Sequence, residues 1–266
     1  MRGGAQAHLL EADNGSFYVV KFQENPQHRR ILVNELIASV ILRYLQIACP
    51  EFALIRLTPE FLKEHPDVYI QLGTRRVAVE PGWHYGSLHP GHPETMAIYD
   101  FMPDALLAKI QNRSDFLAAL VFDKWTGNSD GRQSIFFRAF LKEWFPGSGA
   151  HPRKMGFIAL MIDNGFIFNG EHWSFSDSPI QGLYGRRVVY EDVRSLDAFQ
   201  PWLDRVVHFP DMVLDQAIRQ IPPEWMKGDE DQLEQTLERL LRRCKRVPDL
   251  INETREAKTN PFPNWK

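Results

Sequence analysis

Cysteine is scarce in this sequence: Cys49 and Cys244 are the only two among 266 residues, and they form no CxxC pair. That excludes a disulfide framework and a cysteine-based zinc site, and it makes a reducing cytoplasm the expected location. No stretch approaches the roughly 18 consecutive apolar residues that a membrane-spanning helix needs. The opening "MRGGAQAHLL" also lacks the apolar region of a signal peptide, so no membrane partner is expected. Charge of one sign is missing too. With 31 Lys and Arg against 34 Asp and Glu, a net charge of -3 gives no electrostatic reason to expect direct nucleic-acid binding. There is no internal repeat and no low-complexity segment.

What is present is an ordinary globular composition, 44% hydrophobic, 12% aromatic and 24% charged, long enough for one large domain or two packed lobes that share a cleft. "QAHLLEADNGSFYVVKF" (6–22) carries two apolar runs around an Asn-Gly turn signal and predicts an antiparallel hairpin. "RRILVNELIASVILRYLQI" (29–47) has apolar residues at helical spacing and predicts a helix of about five turns. Between 51 and 103, the segments "FALIRL", "DVYIQLG", "RVAVE" and "MAIYDFM" alternate with Pro and Gly, as in a small sheet with irregular connections. From Pro103 onward, "PDALLAKIQ" and "SDFLAALVFDKW" read as helices. "QSIFFRAFL" and "MGFIALMID" read as a strand pair, and the chain beyond residue 190 reads as mostly helical.

Polar residues gather where these elements end. Lys21 closes a strand, and Glu35 lies in the first turns of the following helix; a carboxylate of this kind fixes an ammonium group that could otherwise swing freely. The loop "GNSDGRQ" (127–133) places Asn128, Asp130, Arg132 and Gln133 between two apolar segments. A turn accounts for Gly127 to Gly131 but not for Arg132 or Gln133. Asp163 follows the apolar strand and precedes Asn164-Gly165. Two carboxylates at the ends of buried elements suit a catalytic base and a ligand for Mg²⁺, which prefers hard oxygen donors, and two turn aspartates would read the same way.

Other clusters have plainer readings. His84, His89 and His92 lie in a Pro/Gly-rich stretch without a fourth ligand at zinc-like spacing. "WSFSDSPIQGLYGRR" (173–187) offers aromatic residues for an acceptor platform or for packing beneath a loop. Arg242, Arg243, Lys245 and Arg246 read as a solvated helix face favoured by the helix dipole.

In order, the chain has a glycine turn, a strand lysine, a helix glutamate, a polar loop with Asp130 and a strand ending in Asp163-Asn164-Gly165. In that order the segments "GGAQAHLL", "YVVKF", "NELIASVIL", "FDKWTGNSDGRQ" and "MIDNGFIFNG" resemble the HipA-like kinases and, more distantly, the type II phosphatidylinositol 4-kinases. The resemblance implies an α+β, bilobal protein-kinase-like fold, with a small β-rich N-lobe over 1–102 and a mostly helical C-lobe over 103–266. It implies ATP and Mg²⁺ as cofactors and transfer of the γ-phosphoryl group to a Ser or Thr hydroxyl of a protein substrate.

By the same resemblance, Asp130 is the catalytic residue that orients or deprotonates the acceptor. Lys21 meets the ATP phosphates with Glu35 as its partner, and Gly3, Gly4, Ala5 and Gln6 form the glycine-rich turn. Tyr99, Phe101 and Met102 belong to the hinge that meets adenine, and Asp163 is the main metal ligand. The family's second ligand, an Asn five residues after the catalytic Asp, falls here on Ile135; Gln133 is the nearest residue with a carbonyl oxygen to offer. The strand expected before the glycine turn has no counterpart between Met1 and Gly3. A nucleotide-binding module without phosphotransfer, and a kinase of a small-molecule or lipid hydroxyl, stand as alternatives.

Overall fold

Alternating apolar residues and Gly15 in a left-handed turn (φ 76°) produce the expected hairpin, β1 (His8–Glu11) and β2 (Phe17–Lys21), in the computed structural model. The structure describes residues 4–149 and 151–266. Beyond β2, helix α1 (Arg30–Leu45) is apolar on nearly every side: Leu32, Leu36, Ile37, Ile41 and Leu45 are all buried. A helix of that character belongs inside a protein rather than on its surface. Gln46 ends it in a left-handed C-cap, with its N–H returned to Arg43 O and Leu42 O.

The sheet continues with β3 (Phe52–Leu57), and after α2 (Pro59–Glu64) a small hairpin follows, β4 (Tyr69–Leu72) and β5 (Arg75–Ala78). β6 (Gly82–Leu88) then inserts between β2 and β3, giving an antiparallel order β1-β2-β6-β3. The register sets Lys21 opposite Tyr85, and Tyr85 opposite Leu54. Gly86 is required in β6, because a Cβ there would come within 2.5 Å of Ile55 Cγ1.

β6 corrects the reading of residues 82–92 as an irregular histidine stretch. His84 is a buried strand residue whose ring bonds Gln23 N–H and Glu80 O, each at 3.2 Å. Among the described residues no group of three or more His, Cys, Asp or Glu side chains is arranged to hold a metal. "MAIYDFM" is a second correction: it forms no strand, and only Tyr99 pairs, with Phe136.

The helical part begins with the short α3 (Asp104–Leu107) and the fully buried α4 (Asp115–Thr126). The paired strands β7 (Gln133–Phe140) and β8 (Met155–Ile162) follow, with α5 (Leu141–Trp144) between them. Helices α6 (Trp202–Val207), α7 (Asp211–Ile218), α8 (Pro223–Met226), α9 (Glu230–Arg243) and α10 (Val247–Glu256) complete it. The main core joins α1, α4 and the C-terminal helices; a smaller one lies against the first sheet, and another under β7–β8. No helix among the described residues is long and apolar enough to cross a membrane.

At its N-terminal end α1 is tied to the last third of the chain. Arg30 grips the Asp229 carboxylate with both arms, at 2.9 and 2.6 Å, and lies 4.4 Å over the Trp173 ring. Arg29 donates to Trp225 O and Met226 O.

Burial lowers the His84 pKa from 6.5 to about 4. Between those values the unfolded chain binds a proton that the fold refuses, so stability falls as pH drops from 6.5 to 4. The full loss is roughly 3 kcal/mol at 1.36 kcal/mol per pKa unit. Denaturant unfolding of wild type and His84→Gln across that window should show the decline much reduced in the variant.

Candidate active site

The end of β2 delivers Lys21 beneath α1, where its ammonium contacts Glu35 and donates to Asp163 Oδ1 at 2.7 Å. Burial by itself would lower the Lys21 pKa, but the two carboxylates outweigh it and hold the group well above its ordinary value. Lys21 is therefore charged at neutral pH. Burial alone would raise the Asp163 carboxyl, yet Lys21, Arg132 and a hydrogen bond from Gln133 hold it below the usual carboxylate range. Asp163 leaves β8 with φ 57°, in the left-handed region that Asp tolerates better than bulkier residues.

Asp130 stands on the loop between α4 and β7. One carboxylate oxygen accepts from Gly131 N–H at 2.7 Å and the other from Gln133 Nε2 at 3.2 Å. Gln133 thus bonds Asp130 and stands near enough to Asp163 to help hold its carboxyl low. The result is a bonded line from Glu35 through Lys21 to Asp163, with the bonded pair Gln133 and Asp130 beside it, assembled from four separate places in the chain.

The loop keeps its shape because of a buried ion pair. Asp123, wholly buried near the end of α4, receives both arms of Arg132, with Nε at 2.9 Å. The remaining Arg132 nitrogen donates to Ile162 O at 3.2 Å and to Asn164 Oδ1 at 2.7 Å. Arg132 consequently joins the loop that carries Asp130 to the strand end that carries Asp163. Asn128 adds a bond to Asp123 at 2.8 Å and accepts from Asp130 N–H at 3.2 Å. The following segment closes over this pair, with Gly182 N–H donating to Asp130 O and Arg132 N–H to Leu183 O, both at 3.1 Å. Gly182 has φ 69°, and any Cβ there would lie 2.1 Å from Asp123 Cβ, so the position admits glycine alone.

Helix α1 supports the other side. Asn34, one residue before Glu35, donates to the carbonyls of Gly165, Ile167 and Gly170 and accepts from the Trp173 indole at 2.8 Å. Gly165 permits that approach, since a Cβ would come within 2.5 Å of Ile31 Cγ2.

Several expected contacts are altered. Gly3 lies outside the described residues. Gly4 and Ala5 form a turn, with Gly4 against the Gln27 side chain. The Gln6 amide is spent on Gln71 N–H and O, at 2.7 and 2.6 Å, which leaves its backbone rather than its side chain for a ligand. Both backbone groups of Tyr99 are paired with Phe136 at 2.8 Å, so its N–H is not free to meet a base; Phe101 is exposed, with Arg186 stacked on it at 4.9 Å, and Met102 is buried. Arg243 is not a solvated cation. It donates to Lys124 O and Trp125 O and pairs with Asp177, while stacking on Phe175 at 4.8 Å.

Asn34, Asp123 and Gly182 escaped the sequence reading. The only signal for Asp123 was a charged residue inside an otherwise apolar helix, and Arg132 was visible only as a residue that a turn did not require.

A family model described as HipA-like kinase matches residues 1–136. The chain belongs to that family. The matched span includes Lys21, Glu35, Asp130 and Gln133 and stops before Asp163. No curated protein matches the sequence. Among solved structures, the Golgi casein kinase with Mn/ADP bound is similar, with a TM-score of 0.56 at 13% identity over 97% of this chain and 72% of that one. Identity that low speaks for the fold alone, and the fold is the kinase-like α+β arrangement. This HipA-like kinase is accordingly a phosphotransferase by family and kinase-like by fold.

Three variants test how the site is held. Asp123→Asn leaves Arg132 buried without its countercharge and is expected to cost about 3–5 kcal/mol in urea unfolding, whereas Asp123→Asn combined with Arg132→Met should cost less than the single change. Asn34→Ala strands three carbonyls and an indole, at roughly 1–3 kcal/mol for a buried group left unpaired. A loss under about 1 kcal/mol would contradict its role as the tie between α1 and residues 165–170.

Proposed function

We propose that this chain transfers the γ-phosphoryl group of ATP to a Ser or Thr hydroxyl of a protein substrate, with Mg²⁺, in the cleft between residues 1–102 and 103–266. The observation that carries the reading is the bonded line from Glu35 through Lys21 to Asp163, with Asp130 and its partner Gln133 alongside. Phosphoryl transfer asks little covalent chemistry of a protein and much positioning and charge neutralisation, and that line offers a fixed cation beside two carboxylates.

Lys21 is the proposed contact to the phosphates, held by Glu35 so that the ammonium keeps one direction. The backbone of Gly4, Ala5 and Gln6 would cover the phosphates, and the hinge groups left for adenine are at Phe101 and Met102. Asp163, with its pKa held low, presents an ionised carboxylate at neutral pH, and the Gln133 carbonyl is the second candidate oxygen. Hard oxygen donors of this kind fit Mg²⁺, which when bound would neutralise charge on the phosphate oxygens. Asp130, placed by Gly131 N–H and by the Asn128 bond to its own N–H, would orient the acceptor hydroxyl and take its proton. Similarity to a kinase solved with Mn/ADP is consistent with nucleotide and divalent metal use here.

A second reading, nucleotide binding without transfer, draws on Gln133, whose Nε2 rather than carbonyl faces Asp130. Incubation with Mg-ATP, followed by ADP release and intact mass, separates the two. The transfer reading expects turnover in wild type and a fall of about 10²–10⁴-fold in Asp130→Ala, the usual scale for a general base, with ATP affinity largely kept. Nucleotide bound with no ADP released by wild type would favour the second reading.

A further inference from the structure

A cavity of about 920 Å³ lies apart from the line of site residues, and none of those five side chains lines it. Its walls are the C-terminal turns of α1, the connector 46–52, the start of α4 and the segment 144–147 after β7. The walls are braced from behind: Ala48 N–H donates to Asp115 Oδ2 at 3.0 Å, and Met161 N–H donates to Ala48 O at 2.8 Å. The connector that forms one of these walls is therefore fixed at Ala48.

Its lining combines two kinds of group. Phe52, Trp144 and Phe145 supply aromatic surface. Arg43, Glu51 and Ser114 also line it, and among the described residues their side chains have no hydrogen-bond or ion-pair partner, in contrast to Asp115 and Asn112, which bond each other and the backbone. A guanidinium that bonds none of the carboxylates in the same cavity, among aromatic walls, matches an anionic group carried on a flat apolar body, because it can both pair with the anion and stack on the ring. The volume falls within the roughly 300–1,000 Å³ of small-molecule sites.

We propose that this cavity is a second ligand site, specific for a planar aromatic anion, with Arg43 meeting the negative group and Phe52, Trp144 and Phe145 holding the ring. Glu51 opposes the anion and so sets the selectivity: a neutral side chain there strengthens binding and loss of Arg43 weakens it. The site needs no nucleotide, so it stands or falls apart from the phosphotransfer reading.

The test uses 8-anilinonaphthalene-1-sulfonate as the aromatic anion, titrated by fluorescence into the full chain. One site per chain is expected, with Kd raised at least fivefold in Arg43→Gln and lowered about twofold in Glu51→Gln, two changes at solvent-facing positions that leave the core intact. Ser114→Trp, which places an indole in the cavity, should raise Kd at least fivefold; thermal melts of all variants check that they are folded. Equal affinity in Arg43→Gln and wild type, or unweakened binding by a folded Ser114→Trp, would overturn the proposal.

Discussion

A guanidinium buried away from water is tolerable only when its charge is paired and its donors are bonded, and Arg132 is the point on which the site depends. Four of its N–H groups are directed at Asp123, Ile162 O and Asn164, so helix α4, the loop carrying Asp130 and the strand end carrying Asp163 share one charged anchor. A buried ion pair is weak evidence for net stability, because desolvation offsets most of the attraction. Its value here is geometric: the two aspartates cannot drift apart without leaving a charge stranded. The loop that closes over the pair is specified with equal strictness at Gly182.

Helix α1 is the second shared frame. Neighbouring residues on it serve different parts of the fold, Glu35 holding Lys21 from the sheet and Asn34 holding residues 165–170 from the helical part. Because the helix is buried on nearly all faces and clamped by Arg29 and Arg30 to residues 225–229, a shift of α1 would move both partners together. Lys21, bonded to Glu35 and Asp163 at once, is where the two frames meet.

The sequence was informative where periodicity was strong. The 8–21 hairpin, α1, α4 and the β7–β8 pair follow from apolar spacing, and the order of Lys21, Glu35, Asp130 and Asp163 pointed to the family. β6 was illegible because Trp83, His84, Gly86 and Ser87 break the two-residue alternation; its place is set by pairing on both sides, and its buried histidine is satisfied by backbone groups. Residues 96–102 erred the other way, being apolar enough for a strand but used for one bridge and an exposed Phe101. The Asp123–Arg132 pair could not be read locally, since it joins the inside of an apolar helix to a loop, and only the fold shows that both lie out of water. The same holds for Tyr99 and Gln6, whose hydrogen-bonding groups are taken by Phe136 and Gln71.

The central claim is that one divalent cation and one nucleotide are held together by Asp163 and Lys21. Calorimetric titration of ATP into wild type and Asp163→Asn, with and without Mg²⁺, tests it most directly. The account predicts binding by wild type that is at least tenfold tighter with Mg²⁺, and loss of that metal dependence in the variant. Mg²⁺-dependent binding unchanged in Asp163→Asn would contradict it.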